Sequence, residues 1–350
     1  MNTILITGGT GFIGSHTCIV LLNAGFNLII LDSFINSSEK VINNICKLAN
    51  IKDINQTQRL IVYKGDFRNK KILNLIFRDA ELKNNNISCV IHFAGLKAVG
   101  ESNFKPLSYW DVNVSGTVNI LKVMEQHKCN NFVFSSSAAV YGGLNKNPNE
   151  DSIAKPENPY GETKLAVEKI LRNLYFSSPN KWRIVFLRYF NPIGAHESGL
   201  LGEDFNNDAT NIFPDICKVA LGKKKFLKVF GNDWPTPDGT GVRDYIHVMD
   251  LADGHFQAMQ YLLKNKPQVV CLNLGTGVGT SVLELIRIFE ESNSCKVPYL
   301  ISQRRMGDVA FLVADNKLAI SKLNWFPKRD LKKMCQDSWN WNKKNPNGYV

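Results

Sequence analysis

Tyr160 and Lys164 are the two residues of this sequence best suited to acid–base chemistry. They lie four positions apart, and on a helix that spacing places both side chains on one face. A phenol with a pKa near 10 is a poor base at neutral pH, but an ammonium group within about 6 Å favours the phenolate and lowers that pKa. We therefore predict that Tyr160 moves the proton of an alcohol with the help of Lys164.

The position of this pair in the chain strengthens the prediction, because a lysine-rich chain contains Tyr-x-x-x-Lys by chance. Ser137 lies 23 residues before Tyr160, directly after a predicted strand, and it could hydrogen-bond the reacting oxygen. Ser135 and Ser136 are interpreted as ordinary residues of a strand end. A helical apolar pattern follows the pair, formed by Leu165, Ile170, Leu171 and Leu174.

The glycines Gly8, Gly11 and Gly14 predict a dinucleotide site. They separate a short apolar run, Thr3–Thr7, from a stretch with helical spacing, His16–Asn23. A strand, a glycine turn and a helix N-terminus together present backbone N–H groups and about half a positive charge to a pyrophosphate. A plain turn is the alternative, and the flanking strand and helix favour the dinucleotide.

Asp32 predicts which dinucleotide binds. It ends a second apolar run, Asn27–Leu31, and lies 18 residues after Gly14. An acid at this place accepts hydrogen bonds from the adenosine ribose hydroxyls and repels a 2′-phosphate, so we expect NAD rather than NADP.

Apolar runs of strand length alternate with helical patterns over the first half of the chain. Such alternation predicts an α/β fold with a doubly wound parallel sheet of the Rossmann type. A smaller C-terminal lobe follows, and we expect a dinucleotide-binding domain over 1–190 and a substrate domain over 191–350, with some segments interleaved. The predicted strands are Thr3–Thr7, Asn27–Leu31, Leu60–Tyr63, Cys89–Phe93, Phe132–Ser135, Ile184–Arg188 and Val269–Asn273.

The composition excludes several other classes of protein. No apolar stretch reaches the roughly 20 residues of a membrane span, no signal peptide is visible, and the eight scattered cysteines suggest a reduced, cytoplasmic protein. The six histidines lack metal-ligand spacing, so we expect no metal. The net charge of +11 could indicate nucleic acid, but the basic residues are scattered and better suit anionic ligands.

Longer motifs in both halves of the chain resemble the UDP-glucose 4-epimerases of the extended short-chain dehydrogenase/reductase superfamily. The resemblance covers nearly the whole chain, and the long block at 230–255 is its most specific part. The motifs are HFAGLKAVGES at 92–102, FSSSAAVYG at 134–142, Tyr160 to Lys164, LRYFNPIGAH at 187–196, FGNDWPTPDGTGVRDYIHVMDLADGH at 230–255 and the region from Arg305 to Asp308.

The resemblance implies roles for individual residues. Ser137, Tyr160 and Lys164 match the catalytic serine, tyrosine and lysine of the family. Besides the three glycines, the positions matching NAD contacts are Phe12, Ile13, Asp32, Asn36, Ser37, Asp66, Phe67, Phe93, Ala94, Gly95, Lys97 and Phe190. The positions matching UDP-sugar contacts are Asn191, Asn211, Ile212, Arg243, Arg305 and Asp308, with Leu312 at a position that gates the sugar pocket.

The expected activity is the interconversion of UDP-glucose and UDP-galactose at C4 through a 4-keto sugar, with bound NAD. Leu312 is intermediate between a tyrosine, which excludes N-acetylated sugars, and a small residue, which admits them, so epimerisation of UDP-N-acetylhexosamines is an alternative. Ala139 replaces a threonine that family members often carry. The chain could also be a related nucleotide-sugar enzyme or a non-catalytic NAD sensor. By resemblance alone, we expect a homodimer.

Overall fold

The computed structural model describes residues 2–54, 57–143, 147–204, 211–305 and 307–349. The chain divides into two compact units. Unit 1 comprises Met1–Ser137, Pro159–Arg188 and Ala252–Leu272, and unit 2 comprises Ala138–Asn158, Tyr189–Leu251 and Asn273–Val350.

The first part of the chain alternates strands and helices. Its elements are β1 (Thr3–Thr7), α1 (Phe12–Asn23), β2 (Asn27–Asp32), α2 (Lys40–Leu48), β3 (Leu60–Lys64), α3 (Lys70–Leu82), β4 (Ile87–His92), α4 (Val99–Phe104), α5 (Pro106–Tyr109), a π-helical turn (Trp110–Ser115), α6 (Gly116–Gln126), β5 (Asn131–Ser137), a 3₁₀ turn (Ala138–Tyr141), α7 (Pro159–Ser177) and β6 (Arg183–Tyr189).

The second part has shorter strands. Its elements are β7 (Asn191–Ile193), α8 (Ile212–Ala220), β8 (Leu227–Phe230), β9 (Val242–His247), α9 (Val248–Lys264), β10 (Gln268–Leu274), β11 (Gly279–Ser281), α10 (Val282–Asn293), β12 (Tyr299–Ser302), β13 (Phe311–Leu312), α11 (Lys317–Leu323) and α12 (Leu331–Lys344).

A seven-stranded sheet confirms the predicted doubly wound α/β fold. Its strand order is β10-β6-β5-β4-β1-β2-β3, and β1, β2, β3, β4 and β5 pair in parallel. Every residue of β1 and β2 is buried, as expected for apolar runs covered by helices on both faces. The order reverses beside β1, and ligands of such sheets bind at this point, outside the carboxyl ends of the strands.

The predicted strands are confirmed: β1 matches at both ends, and the ends of the others differ by at most two residues. The largest differences are at β4, which begins at Ile87 rather than Cys89, and at β5, which continues to Ser137 rather than ending at Ser135. The first helix begins at Phe12, earlier than the predicted His16. The preceding residue, Gly11, has an extended backbone and forms the N-cap, so helical geometry starts at Phe12.

Unit 2 has a core of its own, in which β9 pairs with β7, β11 and β13. Asp244 of β9 is fully buried, and its carboxylate accepts hydrogen bonds from the N–H groups of Thr276, Gly277 and Ala314. These bonds fix the glycine-containing turn that follows β10. Helices α10 and α12 pack on this core through Phe289 and Met334.

No helix in the described ranges has the length and apolar character needed to cross a membrane.

Candidate active site

The strand β5 and the helix α7 bring the three predicted catalytic residues together. Ser137 is the last residue of β5, and Tyr160 and Lys164 lie in the first turns of α7. The Ser137 side chain hydrogen-bonds the Tyr160 hydroxyl. The Lys164 ammonium lies 5.8 Å from the centre of the Tyr160 ring and donates a 2.7 Å hydrogen bond to the carbonyl oxygen of Ser135. Both α7 side chains are buried, so the pair has the surroundings of a proton-transfer site.

The acidity of these groups differs from the simple prediction. Burial raises the pKa of Tyr160 above its usual value, although the hydrogen bond from Ser137 opposes this. The sequence predicts that the Lys164 ammonium lowers the pKa of Tyr160, but in this structure that pKa is raised, because withdrawal from water penalises the phenolate more than the Ser137 hydrogen bond favours it. Burial also lowers the pKa of Lys164 to about 8, against the charge of Glu168, which raises it.

The glycine turn between β1 and α1 has the shape that a pyrophosphate needs. Gly8 has a φ of +71°, and a Cβ on Gly14 would lie 2.2 Å from the Gly8 carbonyl oxygen, so packing explains both glycines. A Cβ on Gly11 would meet only that oxygen, at 3.3 Å, among the described residues. The glycine at position 11 instead keeps the outside of the turn open, which the close approach of a dinucleotide requires.

The start of α1 is also suited to an anion. No side chain of the described residues caps this helix, and its first turn contains no acidic residue. The first backbone N–H groups of a helix have no intrahelical partner, so those of Phe12, Ile13 and Gly14 are available to phosphate oxygens. The turn and the helix together fit the predicted NAD.

Asp32 lies beside this turn at the end of β2. Its carboxylate accepts hydrogen bonds from the N–H groups of Thr10 and Phe34, each 3.0 Å long, and from the Ser37 hydroxyl at 3.2 Å. A carboxylate offers about four acceptor positions, so it retains capacity for a ribose hydroxyl. Asn36, in the same loop, is exposed. This geometry agrees with the predicted preference for NAD.

The other predicted cofactor residues of unit 1 follow β3 and β4. Arg68 binds the Asp66 carboxylate with two nitrogens, and its hydrogen bonds lower the pKa of that group despite burial. The Phe67 ring packs against His92 in the core, so only its backbone is left for a ligand. After β4, Phe93 and Ala94 are partly buried, while Gly95 and Lys97 are exposed.

Three of the predicted substrate residues in unit 2 lie together. The Arg305 guanidinium binds the Asp308 carboxylate at 3.0 Å and stacks 4.6 Å from the centre of the Phe230 ring. Arg243 on β9 lies close enough to interact electrostatically with Asp308 and Arg305, and burial lowers the pKa of Arg243. Two guanidinium groups beside one carboxylate leave a net positive charge, which suits a phosphorylated ligand.

The remaining predicted residues of unit 2 are distributed over several elements. Leu312 on β13 pairs directly with Arg243, and Asn191 on β7 pairs with Tyr245 of the same strand. Asn211 precedes the first residue of α8, Ile212. Phe190 is buried and its N–H binds the Leu274 carbonyl. Ala139 lies in the 3₁₀ turn after β5.

Several residues of the site were not found from the sequence. Ser136 donates a 2.5 Å hydrogen bond to Glu168, which forms a buried ion pair with Arg188, and Phe230 lies under Arg305. Asn113 in the π-helical turn binds both the N–H and the carbonyl of Leu96. Among the described residues, no cluster of three or more His, Cys, Asp or Glu could hold a metal ion.

Comparisons with known proteins agree with this geometry. The sequence profile of the GDP-mannose 4,6 dehydratase family matches residues 5–338. The UDP-glucose 4-epimerase of Bacillus subtilis is 47% identical over 347 residues, which cover 99% of this chain and 98% of that protein. The chain belongs to the UDP-glucose 4-epimerase family. This membership agrees with the resemblance inferred from the motifs.

Solved structures of the UDP-glucose 4-epimerase family share the same fold. The enzyme from Stenotrophomonas maltophila, with bound NAD and formylated UDP-arabinopyranose, superimposes with a TM-score of 0.92 at 41% identity and covers 99% of both chains. The enzyme from Bifidobacterium longum, in complex with NAD+ and UDP, gives 0.91 at 44% identity and covers 99% of this chain and all of that one.

Proposed function

We propose that this chain interconverts UDP-glucose and UDP-galactose by epimerisation at C4, using bound NAD. The observation that carries the proposal is the arrangement of Ser137, Tyr160 and Lys164 on β5 and α7. Membership of the UDP-glucose 4-epimerase family over the full chain supports it. When bound, NAD takes the hydride from C4 of the sugar and returns it to the opposite face.

Tyr160 acts as the proton acceptor and donor for the sugar 4-hydroxyl. Its phenolate is disfavoured by burial, so it needs the positive charge of Lys164 and the hydrogen bond from Ser137. The Ser137 hydrogen bond holds the phenolic oxygen in place, and the Lys164 charge favours the phenolate, while the C4 oxygen loses its proton and later regains it. The product of the first half of the reaction is a 4-keto sugar.

The NAD would be held by residues at the carboxyl ends of the unit 1 strands and by the predicted contact Phe190. The glycine turn and the start of α1 receive the pyrophosphate, and Asp32 receives the ribose. The proposed cofactor residues are Gly8, Gly11, Phe12, Ile13, Gly14, Asp32, Asn36, Ser37, Asp66, Phe67, Phe93, Ala94, Gly95, Lys97 and Phe190.

The nucleotide half of the substrate is held more firmly than the sugar. Arg243 and Arg305 supply two guanidinium groups for the diphosphate, while Asn191, Asn211, Ile212 and Asp308 contact other parts of the UDP-sugar. Inversion at C4 requires the 4-keto sugar to turn over before the hydride returns to it. A firmly held UDP with a loosely held hexose permits this rotation.

Leu312 is proposed to limit the size of the sugar that enters. A leucine is smaller than tyrosine and larger than alanine, so UDP-N-acetylhexosamines are a second class of substrate to test. Comparing rates on UDP-galactose and UDP-N-acetylgalactosamine decides between a narrow and a broad epimerase.

A dehydratase is the alternative enzyme, since the matching family profile is that of the GDP-mannose 4,6 dehydratases. Dehydratases resemble this chain but carry an acid pair near the catalytic serine to protonate a leaving hydroxyl. This chain has Ser135, Ser136, Ser137 and Ala138 there. The lack of an acid in this segment favours epimerisation, and the intact Tyr160–Lys164 pair argues against a non-catalytic NAD sensor.

A homodimer in the cytoplasm is the proposed working form. Phe104 and Leu107 are 87% and 83% exposed, and they lie on α4 and α5, which pack against α7 of the same unit. Large apolar side chains that are exposed on consecutive helices are typical of a surface that a second copy covers.

The direct test is an assay of purified protein with UDP-galactose and no added NAD. We expect UDP-glucose to form, because NAD that is regenerated in each cycle remains bound and purifies with the protein. Stoichiometric accumulation of NADH or of an oxidised sugar, with no UDP-glucose, would contradict the proposal.

A further inference from the structure

Helix α7 carries a third buried ionisable residue in line with the catalytic pair. Glu168 follows Lys164 by four positions, as Lys164 follows Tyr160, so all three lie on one face of the helix. Their exposed fractions are 8% for Tyr160, 6% for Lys164 and 1% for Glu168. The proposed mechanism uses the first two and leaves Glu168 without a role.

Glu168 is held by three hydrogen bonds from two strands. Arg188 of β6 donates to both carboxylate oxygens, from Nε at 2.9 Å and from a terminal nitrogen at 2.6 Å. The Ser136 hydroxyl of β5 donates to Oε1 at 2.5 Å. Two hydrogen bonds from one guanidinium group fix the orientation of the carboxylate as well as its distance.

Three consecutive residues at the end of β5 therefore each bind one member of the α7 face. The Ser135 carbonyl accepts from Lys164, the Ser136 hydroxyl binds Glu168, and the Ser137 side chain binds Tyr160. The end of β5 therefore binds α7 through three successive residues. Arg188 links Glu168, and so this contact, to β6.

We propose that the buried Glu168–Arg188 pair is a positioning device for catalysis, which holds the end of β5 against α7 and so sets Lys164 and Ser137 relative to Tyr160. This inference rests on the proposed epimerase function. Glu168 does not touch substrate in this account; it acts through the ammonium of Lys164 and through Ser136.

The charge of Glu168 has a second effect on the same site. Burial lowers the pKa of Lys164 to about 8, and the Glu168 carboxylate opposes that fall. Removing the carboxylate therefore lowers the pKa of Lys164 further, so the ammonium loses its proton at a lower pH. Among the described residues, the ionisable groups that interact with Lys164 are Tyr160 and Glu168 on α7 and His92 on β4. Arg188 of β6 binds Glu168, and Tyr109 of α5 is close to Tyr160.

A purely structural role would behave differently. Buried ion pairs are often neutral for stability when both partners are replaced by apolar groups, whereas removal of one partner leaves a costly unpaired charge. If the pair only stabilised the fold, activity would follow the folded fraction and the pH profile would stay unchanged.

The experiment compares three variants of the NAD-containing protein in the UDP-galactose assay. For Glu168→Gln, we expect kcat to fall by about tenfold or more with KM within about twofold, and the high-pH limb of kcat to move down by about one pH unit. For the double variant Glu168→Leu/Arg188→Met, we expect the Tm to recover toward that of the unmodified chain while kcat stays low.

Glu162→Gln is the matched control, because Glu162 is the other glutamate of α7 and is exposed. We expect it to keep the kcat and the pH profile of the unmodified chain. Ser136→Ala, which removes only the hydrogen bond from β5, should lower kcat without moving the pH limb.

Two results would overturn the inference while the unmodified chain remains an active epimerase. One is a folded Glu168→Gln protein with unchanged kcat and pH profile. The other is a double variant whose kcat recovers together with its Tm, which also decides the matter if Glu168→Gln does not fold. If the unmodified chain itself lacks epimerase activity, the proposed function has failed instead.

Discussion

At the scale of single residues, the acidity of Tyr160 is controlled by opposing influences. Burial favours the neutral phenol, while the hydrogen bond from the Ser137 side chain favours the phenolate. Burial also lowers the pKa of Lys164 to about 8, and the charge of Glu168 opposes that fall. The base strength of the site is a property of the group of side chains rather than of the tyrosine alone.

The variant Tyr160→Phe tests the assigned proton transfer. It removes only the phenolic oxygen from a buried ring, so the fold and the bound NAD should be kept. We expect kcat to fall by about 10²–10⁴, the usual contribution of general acid–base catalysis. The measurements are the UDP-galactose assay and the NAD content of the purified variant. Turnover close to that of the unmodified chain would remove Tyr160 from its proposed role.

The sequence predicts Tyr160, Lys164 and Ser137 because a helical spacing and a strand end are local patterns. It does not predict the partners that come from distant positions. Arg188 is 20 residues from Glu168, and Phe230 is 75 residues from the Arg305 that stacks on it, so only the folded chain shows these contacts. The raised pKa of Tyr160 was also missed, since burial cannot be read from spacing.

At the scale of elements, helix α12 is fastened to β9 by a buried polar cluster in unit 2. His247 of β9 accepts the N–H of Met249 at Nδ1, so its Nε2 carries a proton and donates to Asp337 at 3.2 Å. Lys333, one turn earlier on α12, donates to the other oxygen of Asp337 at 2.9 Å. This contact orients α12 on the sheet that carries Arg243.

The variant Asp337→Asn tests this contact. Burial opposes ionisation of Asp337, but hydrogen bonds from His247 and Lys333 outweigh it and lower the pKa. A carboxyl group with a lowered folded pKa stabilises the fold above its unfolded pKa, and that stability is lost as pH falls through the folded pKa. We expect the variant to lose about 1–3 kcal/mol in free energy of unfolding at pH 7.

The pH dependence supplies the check on that prediction. Below about pH 4, near the unfolded pKa of an aspartate, the difference in Tm between the two proteins should narrow. Thermal melts at pH 7 and at lower pH measure it. A difference in Tm that stays constant across this pH range would show that the charge of Asp337 does not contribute to the stability of the fold.

The strands of the large sheet were predicted well because each contains a continuous apolar run, and β1 and β2 are buried along their whole length. Their ends were less accurate, since Ser136 and Ser137 extend β5 with polar residues that the apolar pattern does not include. The π-helical turn at Trp110–Ser115 was not predicted; in it, the Asn113 side chain accepts the N–H of Leu96 and donates to the Leu96 carbonyl, 17 residues away. The strands β7, β8, β9, β11, β12 and β13 have only two to six residues, so their patterns were too brief to assign.

At the scale of the whole molecule, the proposed homodimer concerns the face formed by α4 and α5. Leu107→Glu places a charge on this face, and we expect it to convert a dimer of 39.4 kDa chains into monomers, because burying an unpaired carboxylate is costly. Leu82→Glu is the matched control, since Leu82 is 82% exposed on α3 of the same unit. Light scattering after gel filtration gives the masses.

Equal masses for the unmodified chain and both variants would contradict the proposed use of this face. A monomeric unmodified chain would contradict the homodimer altogether. Neither result would affect the assignment of Tyr160, since unit 1 contains the catalytic residues within one chain.

The central claim is that the hydride removed from C4 is returned to the same carbon by NAD that stays at the glycine turn. The most direct measurement uses UDP-galactose with deuterium at C4 and protein purified without added NAD. We predict that the UDP-glucose formed retains the deuterium at C4, with no net NADH. Loss of the label to solvent, or oxidised sugar that matches the NADH formed, would contradict the account.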